Sequence, residues 1–159
     1  VYFKERFKLP LSLDEIKAIW VQMSIDKYRY EVPLKPGVPE FLKYCRENGI
    51  RTGIGTSNGS EIVDAVLTSL NVKEYFDVVV TACEVAHGKP EPDIYLEVAK
   101  RLGVKPEECL VFEDIPAGIM AGKAAGMPVI AVEDDFSKDL MDEKRALADA
   151  VIADYRELL

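Results

Sequence analysis

Histidine is almost missing from this chain. His87 is the only one, and the three cysteines, Cys45, Cys83 and Cys109, are odd in number and far apart. That scarcity argues against a zinc centre, which draws on clustered cysteine and histidine, and against a disulfide framework. The cysteines sit among apolar neighbours and are expected as buried free thiols, in keeping with a reducing, cytoplasmic setting. Long apolar runs are lacking too. None approaches the ~20 residues of a membrane span, and the opening VYFKERFKLP is no signal peptide. Basic residues are in the minority, with 20 Lys and Arg against 28 Asp and Glu and a net charge of −8. Such a balance disfavours nucleic acid as a partner, because phosphate backbones reward basic surfaces. Any anionic substrate therefore needs local help from a lysine, a metal or helix N-termini.

At 159 residues the chain suits one domain with a small appendage. There is no low-complexity tract and no sequence repeat, but one architectural unit recurs. An amphipathic stretch ends at glycine, a short apolar run follows, and a polar turn closes the unit. Residues 39–48 end at Gly49, and 50–55 lead into Thr56-Ser57-Asn58. Residues 93–102 end at Gly103, and 110–112 lead into Glu113-Asp114. Residues 116–125 end at Gly126, and 129–132 lead into Glu133-Asp134-Asp135. Early proline and late glycine are helix punctuation. Short apolar runs without alternation suit strands covered on both faces, with two more at 78–80 and 150–152. The fold class is α/β, a Rossmann-like parallel sheet in a three-layer sandwich.

The first 32 residues differ. Leu13 to Tyr30 reads as one helix with Ser12 as N-cap, Glu15 completing a capping box, and Ile16, Ile19, Trp20 and Met23 on one face. Residues 1–32 are expected as part of a small helical accessory domain, or as an extra helix on the same domain, with 33–159 as the α/β core.

In open parallel sheets ligands bind beyond the carboxyl ends of the strands, and every polar cluster above falls there. GIGTSNGS at 53–60 comes close to a dinucleotide fingerprint, with Glu84 as a stand-in for the ribose-binding acid. Its glycines, however, lie inside the strand and not in the turn after it. Thr56-Ser57-Asn58 opens a helix that Asn58 can cap, with Glu61 three residues on; the stretch either caps the helix only or also cradles an anion. Lys89, in AHGKPEPDIY, is framed by Gly88, Pro90 and Pro92, which makes a fixed ammonium possible where a surface lysine is the plainer alternative. His87 shows no partner and reads as solvated. Glu113-Asp114 ends a very apolar strand, where adjacent carboxylates are costly unless a cation meets them. Oxygen ligands suit a hard cation, Mg²⁺ above all; a helix N-terminal acid pair is the alternative.

Together these residues resemble the haloacid dehalogenase-like phosphatase superfamily, in the branch of β-phosphoglucomutase-like enzymes and phosphoglycolate phosphatases. The likeness covers roughly 36–159, through Thr56, Lys89 within GKPEPDIY, and Glu113-Asp114 within VFEDIPAGIMAGKAAGM. The resemblance implies a Mg²⁺-dependent enzyme acting on a small phosphorylated metabolite. Thr56, helped by Ser57 and Asn58, would bond the transferring phosphoryl group, and Lys89 would neutralise it. Glu113 and Asp114 would help to hold the metal, and the first helices would be the end of an inserted cap. One departure stands out. The family's first motif, D-x-D at the end of a central first strand, is absent from these 159 residues. Either it lies upstream of Val1, or the chain is a non-catalytic domain that binds phosphate or a protein. Hydrolase and sugar-phosphate mutase both remain open.

Overall fold

Five short strands in two parallel ladders carry the fold in the computed structural model, which describes residues 2–159. Val1, the first residue of the expected cap segment, lies outside them. β1 (Gly53–Thr56) pairs with β2 (Val78–Thr81), while β3 (Val111–Glu113), β4 (Val129–Val132) and β5 (Ala150–Ile152) form the second ladder in that order. Seven α-helices accompany them among the described residues: α1 (Tyr2–Arg6), α2 (Leu13–Tyr30), α3 (Val38–Glu47), α4 (Ser60–Ser69), α5 (Asp93–Leu102), α6 (Pro116–Ala124) and α7 (Met141–Leu147). No helix among the described residues is long and apolar enough to cross a membrane.

The strands alternate their side chains between two helical layers, as a pleat requires. Val80, Val111, Val129 and Ala131 share a core with Ile94, Val98 and Ile119 from α5 and α6. On the opposite face Ile54 and Val79 meet Leu42, Val63 and Leu67 from α3 and α4. Beside them Ile130, Val132 and Ile152 pack with Phe112, Tyr155 and Leu158. The α5–α6 layer thus ties the two ladders into one three-layer α/β unit.

Helix punctuation follows the sequence closely. Ser12 and Glu15 make the full capping box of α2, and Gly103 and Gly126 follow α5 and α6 in left-handed conformation. Three expectations are corrected. The first strand begins at Gly53 and not at Ile50, because its partner supplies no strand residue before Val78. Gly59, not Asn58, is the N-cap of α4, and no side chain caps that end. Of the cysteines only Cys45 is buried; Cys109 is half-buried and Cys83 exposed in the turn after β2. The apolar face of α2 is also less covered than its pattern suggests. The helix lies along α4 with no residue fully buried, and Ile19, Trp20 and Met23 stay about half exposed.

β1 and β3 each have a strand neighbour on one side only. Both line one cavity of about 850 Å³, β1 through Gly53, Ile54 and Gly55 and β3 through Val111, Phe112 and Glu113. Its walls are otherwise largely apolar, with Phe41 and Leu42 on one side and Tyr95 and Val98 on the other.

Gly53 owes its place to close approach: a Cβ there would lie 2.6 Å from Val98 Cγ1. Gly53→Ala is expected to overpack the β1–α5 contact and cost about 1–3 kcal/mol, measured as a lower urea midpoint with an unchanged slope.

Candidate active site

The site is built where β1 and β3 end. β3 delivers Glu113 at its last position, and the side chain is nearly buried. Burial would make a lone carboxylate costly, but two donors converge on its Oε1. The Lys89 ammonium, also nearly buried, pairs with it, and the Tyr95 hydroxyl donates to it from α5. The Lys89 ammonium also lies 4.9 Å from the centre of the Tyr95 ring, a cation–π distance. Behind the carboxylate stands Gly118 of α6, where a Cβ would come within 2.1 Å of the Glu113 carboxyl. This explains a glycine two residues into a helix. Burial first, then the Glu113 charge, holds the Tyr95 phenol far above its ordinary range, so it stays a donor.

Asp114 follows on the turn into α6 and is more open. Its carboxylate lies 3.3 Å from the ammonium of Lys35, which also pairs with Asp134 beyond β4. That Lys35 bond holds the Asp134 carboxyl below its usual range. Sequence reasoning passed over Lys35, which sits in an unremarkable linker. It also passed over Tyr95, whose helical spacing marks only a core position. No local signal singles out either residue.

β1 reaches the same region through one ring. Tyr95, bonded to Glu113, comes within 3.4 Å of where a Gly55 Cβ would stand, and Thr56 is the next residue. The Thr56 Oγ1 accepts the Asn58 amide at 3.1 Å, which leaves its own O–H free to donate elsewhere. Ser57 and Asn58 form an exposed bend. With no side-chain cap, the first amides of α4 keep their hydrogen-bonding capacity for an anion.

The other candidates resolve differently. His87 gains a partner that the sequence did not suggest, with Nδ1 2.9 Å from Asp93 Oδ1, and it braces the loop that carries Lys89 while staying largely exposed. Glu84 is committed to the Thr81 amide and hydroxyl and to Arg101, with its carboxyl lowered to about 2, first by the Thr81 amide. Both of its carboxylate oxygens are engaged, and Gly53 and Gly55 lie within β1. Among the described residues no three Cys, His, Asp or Glu side chains gather as a metal cluster. The donors at the site are carboxylates alone, a set that suits a hard cation bound with its own waters and not zinc.

A parallel α/β domain with an uncapped helix start, a fixed lysine and adjacent carboxylates at its strand ends has the layout of the Rossmann-like α/β class. Comparison with known proteins narrows this. The haloacid dehalogenase-like hydrolase profile matches residues 6–126, and the chain belongs to that family. Hexitol phosphatase B of Escherichia coli K12 is 34% identical over 126 residues, covering 79% of this chain and 56% of the relative. The chain therefore spans little more than half of that protein's length. Among solved structures, CbbY from Rhodobacter sphaeroides in complex with xylulose-1,5-bisphosphate superposes with a TM-score of 0.84 at 28% identity. That match covers 94% of this chain and 67% of CbbY. A β-phosphoglucomutase homologue from Thermotoga maritima gives 0.77 at 32% identity, over 94% and 69%.

The buried phenols generate a pH dependence. Burial raises the pKa of Tyr155 as well as that of Tyr95. Above about pH 10 the unfolded chain releases these protons while the native state keeps them, so stability falls as pH rises further. Native-state phenolate absorbance near pH 11 should fall short of the urea-unfolded chain by at least these two residues. Tyr95→Phe should flatten the alkaline loss of stability.

Proposed function

We propose that the complete protein carries out Mg²⁺-dependent phosphoryl transfer from a small phosphorylated metabolite, with water as the simplest acceptor. The observation that carries this reading is the fixed Lys89–Glu113 pair with Asp114 next in the chain, at the end of β3. Phosphoryl transfer asks a protein mainly for positioning and charge neutralisation, and these residues are suited to both. The Thr56 hydroxyl and the first amides of α4, with Ser57 and Asn58 at the bend, bind the equatorial phosphoryl oxygens. Lys89, held in place by Glu113 and Tyr95, presents a positive charge to the same group as negative charge develops. Asp114, with Glu113 behind it, would hold Mg²⁺, which supplies further positive charge to the phosphoryl oxygens when bound. The names of the hexitol phosphatase and of the CbbY complex support a phosphorylated sugar or polyol as the substrate class. The likeness to a β-phosphoglucomutase homologue supports a mutase as the second reading, in which a substrate hydroxyl replaces water.

This reading requires a nucleophilic aspartate, and the 159 residues contain no D-x-D. The cavity between β1 and β3 suits its carrier. An extended apolar segment seated there would pair with both free edges and bring an acidic carboxyl end to Lys89. The helices before residue 33, of which α2 lies along α4, are read as part of a cap, and a cytoplasmic setting suits a metabolite phosphatase.

Two measurements decide between enzyme and binding domain. A protein extended upstream by a strand ending in D-x-D should hydrolyse p-nitrophenyl phosphate in the presence of Mg²⁺, whereas the 159-residue chain should not. Inactivity of both would support a non-catalytic domain. In the active form, Lys89→Ala should lower kcat on the order of 10²-fold, and Asp114→Ala should remove the Mg²⁺ dependence. Near-normal turnover of Lys89→Ala would rule out its assigned role.

A further inference from the structure

α7 sends Lys144 into the interior, where its side chain is fully buried. Among the described residues no carboxylate lies within ion-pair distance of it. Its Nζ instead donates to the Val132 carbonyl at 3.1 Å, the Ser137 hydroxyl at 3.0 Å and the Asp114 carbonyl at 3.2 Å. The Ser137 hydroxyl, itself buried, donates to that same Asp114 carbonyl at 2.7 Å. An ammonium has three donors and no acceptor, so every one of its bonds is used, and all of them go to neutral groups.

Burying a charge costs several kcal/mol, and an apolar side chain of similar size generally serves stability as well or better. Packing alone therefore gives no reason for a lysine here; the place of its three acceptors does. The β3–β4 register ends at Glu113 opposite Ala131. Asp114 follows β3 and Val132 is the last residue of β4; both lie beyond the β3–β4 pairing, although Val132 still pairs with Ile152 of β5. Lys144 bridges their carbonyls and adds the 135–140 turn through Ser137. Two donors on the Asp114 carbonyl hold the peptide that follows Asp114, while its carboxylate lies 3.3 Å from Lys35.

We propose that Lys144 and Ser137 are positioning residues for the cation site. They clamp the Asp114 main chain so that its carboxylate is presented at the strand ends before any cation arrives. This rests on the reading of Asp114 as a cation ligand. Partners that orient a ligand from behind are worth roughly 10- to 100-fold in metal affinity, and the clamp belongs in that range.

The test is a Mn²⁺ titration of the ¹⁵N-labelled chain, following paramagnetic broadening of the Glu113, Asp114 and Ile115 amides. Amide exchange at Ile115 is measured in parallel. Lys144→Met keeps the buried stem and removes the charge; Ser137→Ala keeps the charge and removes one donor to Asp114. Both should shift the Mn²⁺ midpoint upward, by on the order of 10-fold for Lys144→Met, and both should speed exchange at Ile115. If Lys144→Met does not fold, Ser137→Ala decides alone. Asp114→Ala separates the two readings. Broadening that survives Asp114→Ala removes the cation-ligand reading and this proposal with it. Broadening lost in Asp114→Ala, with a wild-type midpoint in every clamp variant that folds, overturns this proposal alone.

Discussion

A carboxylate at the end of a buried strand has to be met by donors, and the arrangement of this protein turns on how Glu113 is met. The Lys89 ammonium and the Tyr95 hydroxyl share one of its oxygens while Gly118 makes room behind it. Each partner comes from a different element: the loop after β2, helix α5 and helix α6. Because a buried ion pair is costly to break once formed, this contact locks those elements to β3. Lys89 becomes a fixed charge and not a mobile surface group, which is what electrostatic catalysis needs.

Charge balance at the strand ends extends the same logic. Glu113 is matched by Lys89, while Asp114 and Asp134 share Lys35, and Lys144 supports the Asp114 main chain from below. A chain with a net charge of −8 thus concentrates three of its lysines where it gathers its carboxylates. The result is a cluster whose carboxylate charge is balanced locally on an otherwise acidic protein.

The open edges of β1 and β3 place a second constraint on the architecture. Buried backbone groups call for partners, and the cavity between these strands is where those groups face. The α5–α6 layer holds the two ladders in one unit across that gap. The family membership of residues 6–126 and the superposition on CbbY agree with a domain whose layers are already in place.

Much of this could be read from local sequence. Periodicity, the Ser12–Glu15 capping box and the glycine stops depend on contacts within a few residues, so α2, α3, α5, α6 and the strands after β1 were placed nearly to the residue. Lys89 and Glu113-Asp114 stood out because proline framing and acids on an apolar strand are unusual in themselves. Other features were beyond local reading. The N-cap passed from Asn58 to Gly59, since a cap depends on where the backbone turns and not on which side chain is able to bond. Tyr95 lay in an expected helix and Lys35 in a linker, and Lys144 fell in a stretch that patterning left unassigned. Their partners lie 18, 99 and 30 residues away for Glu113, Asp134 and Asp114 respectively. Sequence by itself determined the elements and the chemical types at the strand ends, because propensity and patterning act locally. Only the tertiary structure decided which charge meets which, because that depends on how the chain returns to the same strand ends from far along its length.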